Sequence, residues 1–252
     1  GAQDIRYIVD PAPEAYLFLL DRHPEIISWT VAPEREGALD MARELRKRGI
    51  LCSMGHTNAT FQEAREGCEN GFSHVTHMYS AMSTITRKNA YRRGGVMEAA
   101  FLLDELSLEL IADGSHIPQE LLQLVCKFKS HDKIALVTDS MRAAGMPDGQ
   151  YLLGSDKNGQ PCLKEHNVAF LMDHSAFAGS VATADMLIRT MVKTAGLALW
   201  DAVRMMSQNP AHFLKLAHKG ALAVGMDADI LIFDEDITMQ RVICMGKTTY
   251  TA

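Results

Sequence analysis

The feature that most limits what this chain can become is an alternation that begins at residue 26. Apolar, β-branched runs at 26–34, 50–56, 72–77, 106–116 and 133–140 take turns with amphipathic stretches at 37–49, 60–71, 95–105 and 118–130. The amphipathic stretches carry helix signals. Leu39, Ala42 and Leu45 recur at helical spacing and Gly49 follows a basic last turn. Thr60 with Glu63 three residues later has the form of a capping box. Pro118 opens its stretch in the first turn, where a missing N–H does no harm. The intervening runs are apolar on both faces, as strands are when helices cover both sides of a parallel sheet. An α/β fold is therefore expected.

Each predicted strand closes on a residue able to do chemistry: Glu34, His56, His77, Asp113 with His116, and Asp139. Parallel strands point one way, so these ends should gather on one face, the ligand side of barrels and open α/β sheets alike. A lone histidine is more often packed than ligating, but two histidines and a glutamate at three strand ends form a ligand set for zinc or a similar divalent ion. Asp139 in "VTDS" has two readings, a proton carrier or an N-cap for the next turn. His116, in "ADGSHIP", could donate to a substrate oxygen or be an ordinary loop residue. "TRKNAYRR" (86–93) gathers Arg87, Lys88, Arg92 and Arg93 into a predicted loop that suits a phosphate or a solvated charge run.

Beyond residue 141 the pattern changes. Residues 149–170 read as short strands with a turn at 156–159, and 184–196 and 199–216 as helices, the second interrupted by Pro210. Residues 220–250 read as a β-meander. A net charge of −6 argues against a nucleic-acid or anionic-membrane partner, since both need a basic face. The five cysteines, 52, 68, 126, 162 and 244, form no CxxC pair and read as reduced thiols of a cytoplasmic protein.

"TVAPE" (30–34), "GHTNAT" (55–60), "VTHMYSAM" (75–82), "IADGSHIP" (111–118), "VTDS" (137–140), "FAGS" (177–180), "NPA" (209–211) and "KGALAVGMDADILIFD" (219–234) occur in this order. Together they resemble the N-acetylglucosamine-6-phosphate deacetylases of the amidohydrolase superfamily. The resemblance implies a (β/α)8 TIM-type barrel, partial in this chain, with a small β-sandwich to which the C-terminal segment contributes. Residues 1–218 would belong to the barrel, with 149–170 as a β-rich insertion, and 219–252 to the sandwich. The family's first strands would precede Gly1, leaving five or six of the eight barrel strands here. The resemblance further implies Glu34, His56 and His77 as metal ligands, zinc first, with iron, cobalt, manganese or nickel as alternatives. Asp139 would be the general base and acid, and His116 a substrate-binding residue. Ser80, Ala81 and Phe177 would line the sugar, and Arg87 and Lys88 would meet the phosphate. Gln3 stands where the family has a histidine that polarises the amide carbonyl; glutamine can donate a hydrogen bond there but carries no charge. The expected activity is deacetylation of a small amino-sugar phosphate by a cytoplasmic homodimer. Another acetamido sugar, a cyclic amide, or non-catalytic sugar-phosphate binding are the alternatives.

Overall fold

The computed structural model describes residues 1–252, a mixed α/β chain. Its contacts divide it into two units, Gly1–Leu110 and Ile111–Ala252. The first unit runs α1 (Pro13–Arg22), β1 (Ser28–Val31), α2 (Ala38–Arg48), β2 (Leu51–Met54), α3 (Phe61–Asn70), β3 (Phe72–Val75), β4 (Thr86–Lys88), β5 (Tyr91–Arg93), α4 (Val96–Leu102) and β6 (Ser107–Leu110). The second runs α5 (Gln119–Phe128), β7 (Ile134–Leu136), β8 (Gly149–Leu153), β9 (Gln160–Glu165), β10 (Val168–Leu171), α6 (Ala184–Lys193), α7 (Leu199–Met206), α8 (Gln208–Phe213), β11 (Ile230–Phe233), β12 (Met239–Cys244) and β13 (Lys247–Thr251).

In the first unit β1, β2, β3 and β6 pair side by side, all parallel. Ser28 lies opposite Leu51, and His74 opposite Ser107. The buried faces of α2 (Ala38, Met41, Ala42, Leu45) and α3 (Ala64, Gly67) pack toward β2 and β3. Met54, Phe72, Val75 and Leu108 are buried along the strands. Gly49 ends α2 at φ 74, a left-handed position that glycine occupies at least cost. The predicted capping box is formed at α3: Thr60 Oγ1 accepts from Glu63 N at 3.3 Å, and Glu63 Oε2 accepts from Thr60 N at 2.7 Å. Thr60→Ala should therefore cost about 1 kcal/mol of stability, measured by urea unfolding; an unchanged midpoint would show that the cap contributes nothing.

Two expectations need correction. Residues 86–93 are a hairpin, not a loop: Arg87 pairs with Arg92 and Lys88 with Tyr91. The turn residues Asn89 (φ 48) and Ala90 (φ 67) are both left-handed, the backbone of a tight hairpin turn. Alanine at the second position conceals a turn that glycine would have announced. The 199–216 helix breaks at Ser207 rather than at the proline. Pro210 has no N–H for the carbonyl four residues back, which is Met206, so α7 stops there and Pro210 falls in the first turn of α8.

In the second unit, residues 149–171 form an antiparallel sheet in the order β10–β9–β8. The predicted meander appears as antiparallel β11–β12–β13. No helix is long and apolar enough to cross a membrane. All five cysteines are free of disulfides.

Candidate metal centre

Because β1, β2 and β3 are parallel neighbours, the residues that follow them leave the sheet at one edge. Strand β2 stops at Met54, and Gly55 then carries the chain tightly between its neighbours. A Cβ at residue 55 would sit 2.6 Å from Thr30 Cγ2 and 3.0 Å from Thr76 Cβ, so only glycine fits. His56 and His77 follow at φ 48 and 28, in the left-handed region that non-glycine residues rarely enter. Held backbone strain of this kind clusters at functional sites.

These turns aim the two imidazoles at each other. His56 Nε2 and His77 Nε2 are 3.0 Å apart, with the rings nearly perpendicular at 77°. His77 is buried (6% exposed), and its Nδ1 has no hydrogen-bond partner. Burial first, and the neighbouring His77 second, push the His56 pKa down to about 4, so its ring is neutral at physiological pH. The neutral His56 ring and the His77 ring share one position between their Nε2 atoms, where a cation can take the place of a shared proton. Two nitrogens bound tetrahedrally to zinc would stand roughly 3.3 Å apart, close to the observed separation, so the pair fits a divalent ion. Glu34 lies against the same turn. Its Oε2 accepts from Thr57 Oγ1 at 2.5 Å and its Oε1 from Asn58 N at 2.7 Å. No three His, Cys, Asp or Glu side chains are placed together to hold one ion.

The segment after β3 packs back on this turn. Thr57 N donates to Ala81 O and Ser83 N to Thr57 O, each at 3.0 Å. Ser80 N donates to His77 O at 3.1 Å, and Ala81 has φ 46. A methyl group added at Gly1 would lie 3.3 Å from Ala81 Cβ and 3.6 Å from His56 Cε1. Gly1 therefore lies beside His56, and Gln3 is exposed two positions on. Arg87 and Lys88 are exposed on β4.

One part of this neighbourhood was missed in the sequence. His74, 2% exposed in β3, places Nδ1 2.6 Å from Ser107 Oγ and Nε2 3.1 Å from Glu109 Oε1. Burial works against the charged Glu109 carboxyl, but the His74 hydrogen bond and charge outweigh it and hold it below the usual range. The available signal was an ionisable residue inside each of two apolar strands, "FSHV" and "SLEL", since a buried charge needs a partner.

The second unit holds the remaining candidates. His116 Nδ1 meets Asp113 Oδ2 at 2.7 Å, and Asp113 Oδ1 accepts from His116 N and Ser115 N. The two side chains are almost fully enclosed, 3% and 1% exposed. Burial opposes the Asp113 charge, yet the hydrogen bonds from His116 prevail and lower its pKa. Phe177 covers the His116 ring at 4.3 Å between centroids. Asp139, exposed, follows β7 at φ 47, and its carbonyl accepts from Ser180 N at 2.8 Å.

The amidohydrolase family model matches residues 15–249. The chain belongs to the amidohydrolase family. Among curated relatives, this amidohydrolase is 36% identical to an N-acetylglucosamine-6-phosphate deacetylase of Lysinibacillus sphaericus, over 98% of this chain and 62% of that protein. It is 31% identical to an N-acetylgalactosamine-6-phosphate deacetylase of Escherichia coli O157:H7, over 86% of this chain and 55% of the relative. A solved mutant N-acetyl-D-glucosamine-6-phosphate deacetylase from Mycobacterium smegmatis, in complex with N-acetyl-D-glucosamine-6-phosphate, matches with a TM-score of 0.92 and 31% identity. That match covers all of this chain and 65% of the other. The amidohydrolase chain thus spans less than two thirds of the length of these proteins.

Proposed function

We propose that this amidohydrolase chain carries the metal-dependent centre of a deacetylase that converts N-acetylglucosamine 6-phosphate to glucosamine 6-phosphate and acetate. The observation that carries the reading is the convergence of His56 Nε2 and His77 Nε2 at the ends of adjacent parallel strands. The activities named for its relatives support the substrate class. In this reading β1, β2, β3 and β6 are part of a (β/α)8 barrel within residues 1–218, with 149–170 as an insertion. Residues 219–252 belong to a small β-sandwich, and the protein is a cytoplasmic homodimer.

His56 and His77 would hold the ion, with Glu34, bonded to Thr57 and Asn58 in the turn after His56, as the proposed third ligand, zinc first and iron, cobalt, manganese or nickel as substitutes. When bound, such an ion supplies a water acidic enough to attack near neutral pH and a positive charge for the developing oxyanion. The Asp139 carboxylate takes the proton of the attacking water and delivers it to the amide nitrogen as the C–N bond breaks. Asp113 fixes the His116 ring through Nδ1, so that Nε2 is left to hydrogen-bond the substrate. Gln3 donates to the acetyl carbonyl in place of a charged group. The backbone at Ser80 and Ala81, with Phe177, borders the sugar, and Arg87 and Lys88 bind the 6-phosphate.

A second reading has one observation behind it: the relative that acts on the galactosamine epimer. The test is acetate release from the two sugar phosphates, from unphosphorylated N-acetylglucosamine and from a panel of cyclic amides. The proposal expects acetate from a 6-phosphate, with the unphosphorylated sugar poorer by at least about tenfold in kcat/KM, a loss of about 1.4 kcal/mol. Turnover of a cyclic amide with no acetate from any sugar would contradict it.

A further inference from the structure

His77 sits at a left-handed φ of 28, and such a backbone persists only when its surroundings hold it. Two successive amides of this turn are taken by one residue of the neighbouring strand. Met78 N donates to the Glu109 main-chain carbonyl at 2.8 Å, and His77 N donates to Glu109 Oε2 at 3.3 Å. The other carboxylate oxygen, Oε1, meets His74 Nε2 at 3.1 Å. His74 is fixed in turn by Ser107 Oγ at 2.6 Å, and Ser107 Oγ donates to Ser73 O at 3.2 Å. The chain of contacts thus runs from β6 through β3 to the backbone of His77, and the parallel register that sets His74 opposite Ser107 builds it.

We infer that Glu109 is a positioning residue for the ion: its carboxylate clamps the His77 backbone in the conformation that presents Nε2 to His56, and His74 holds the carboxylate in place. The inference rests on the metal-centre reading above. Outer partners that orient a metal-binding histidine are commonly worth about 10–100-fold in affinity.

The test is zinc binding, followed with a chromophoric competitor, in the full chain. Glu109→Ala should weaken zinc binding by about tenfold or more. Glu109→Gln should stay within about threefold: its Oε1 still accepts from His77 N, and its amide N–H faces His74 Nε2. Glu109→Met, which fills the space without an acceptor, replaces the alanine variant should that one fail to fold, and is expected to match it. In a His77→Ala background the Glu109→Ala change should cost nothing further, because a residue that acts through His77 has no effect without it. Zinc binding by Glu109→Ala within twofold of wild type, or the same loss persisting without His77, would overturn the inference. If wild type and His77→Ala bind zinc equally, the metal-centre reading fails and takes this inference with it. If they differ while Glu109→Ala matches wild type, the inference alone fails.

Discussion

Asp139→Asn is expected to lower kcat by about a thousandfold while leaving zinc content at the wild-type level. General acid–base catalysis by a positioned carboxylate contributes about 10²–10⁴, and a primary amide cannot take up the proton that the proposed mechanism has the carboxylate carry between water and leaving nitrogen. The substitution is well suited to the site. Asp139 has φ 47, and asparagine tolerates left-handed backbone as well as aspartate does. The Ser180 N–H bond goes to the main-chain carbonyl and survives the change. Turnover is read by acetate release under saturating substrate and metal content by elemental analysis of the same sample. If the variant turns over at the wild-type rate, Asp139 is not the proton carrier and its role reduces to local turn structure. If zinc is lost along with activity, Asp139 belongs to the ion's ligands instead.

The second large effect concerns the ion itself. His77→Ala and His56→Ala should each weaken zinc binding by at least about a hundredfold, or about 2.8 kcal/mol. Losing a ligand outright should cost more than losing the partner that orients one. His77 is enclosed and His56 faces solvent on one side, so water can replace the lost His56 nitrogen more readily. The loss should therefore be the greater at His77. Competition titration reads both constants, and thermal melting of the metal-free proteins checks that the fold survives. Equal affinity in all three proteins would place zinc elsewhere. Glu34→Gln is the informative companion, because Glu34 also binds Thr57 and Asn58 in the turn that follows His56.

Much of the first unit was legible because its rules are local. The alternation of apolar and amphipathic runs locates β1, β2, β3 and β6 with their helices, and the Thr60–Glu63 cap marks the start of α3 to the residue. Parallel pairing then brings the residues after β2 and β3 to one edge, where His56 and His77 meet. What was not legible depends on register or on backbone that composition conceals. The His74–Glu109 contact joins residues 35 apart, and the pairing of β3 with β6 makes them neighbours. The hairpin turn at Asn89-Ala90 carries alanine where a left-handed turn usually advertises glycine. Helix α1 buries only Tyr16 and Leu20, too thin a stripe to stand out from an otherwise continuous apolar run. Even at the site, the sequence placed His56 and His77 on the strands themselves, whereas the strands stop at Met54 and Val75 and strained turns present the rings.

The central claim is that His56 and His77 share a divalent ion, and zinc K-edge X-ray absorption on the protein loaded with one equivalent of zinc tests it most directly. Scattering from two imidazoles at about 2.0–2.1 Å, falling to one in His77→Ala, is the predicted result. A spectrum with oxygen neighbours alone, unchanged by removal of either histidine, would contradict it.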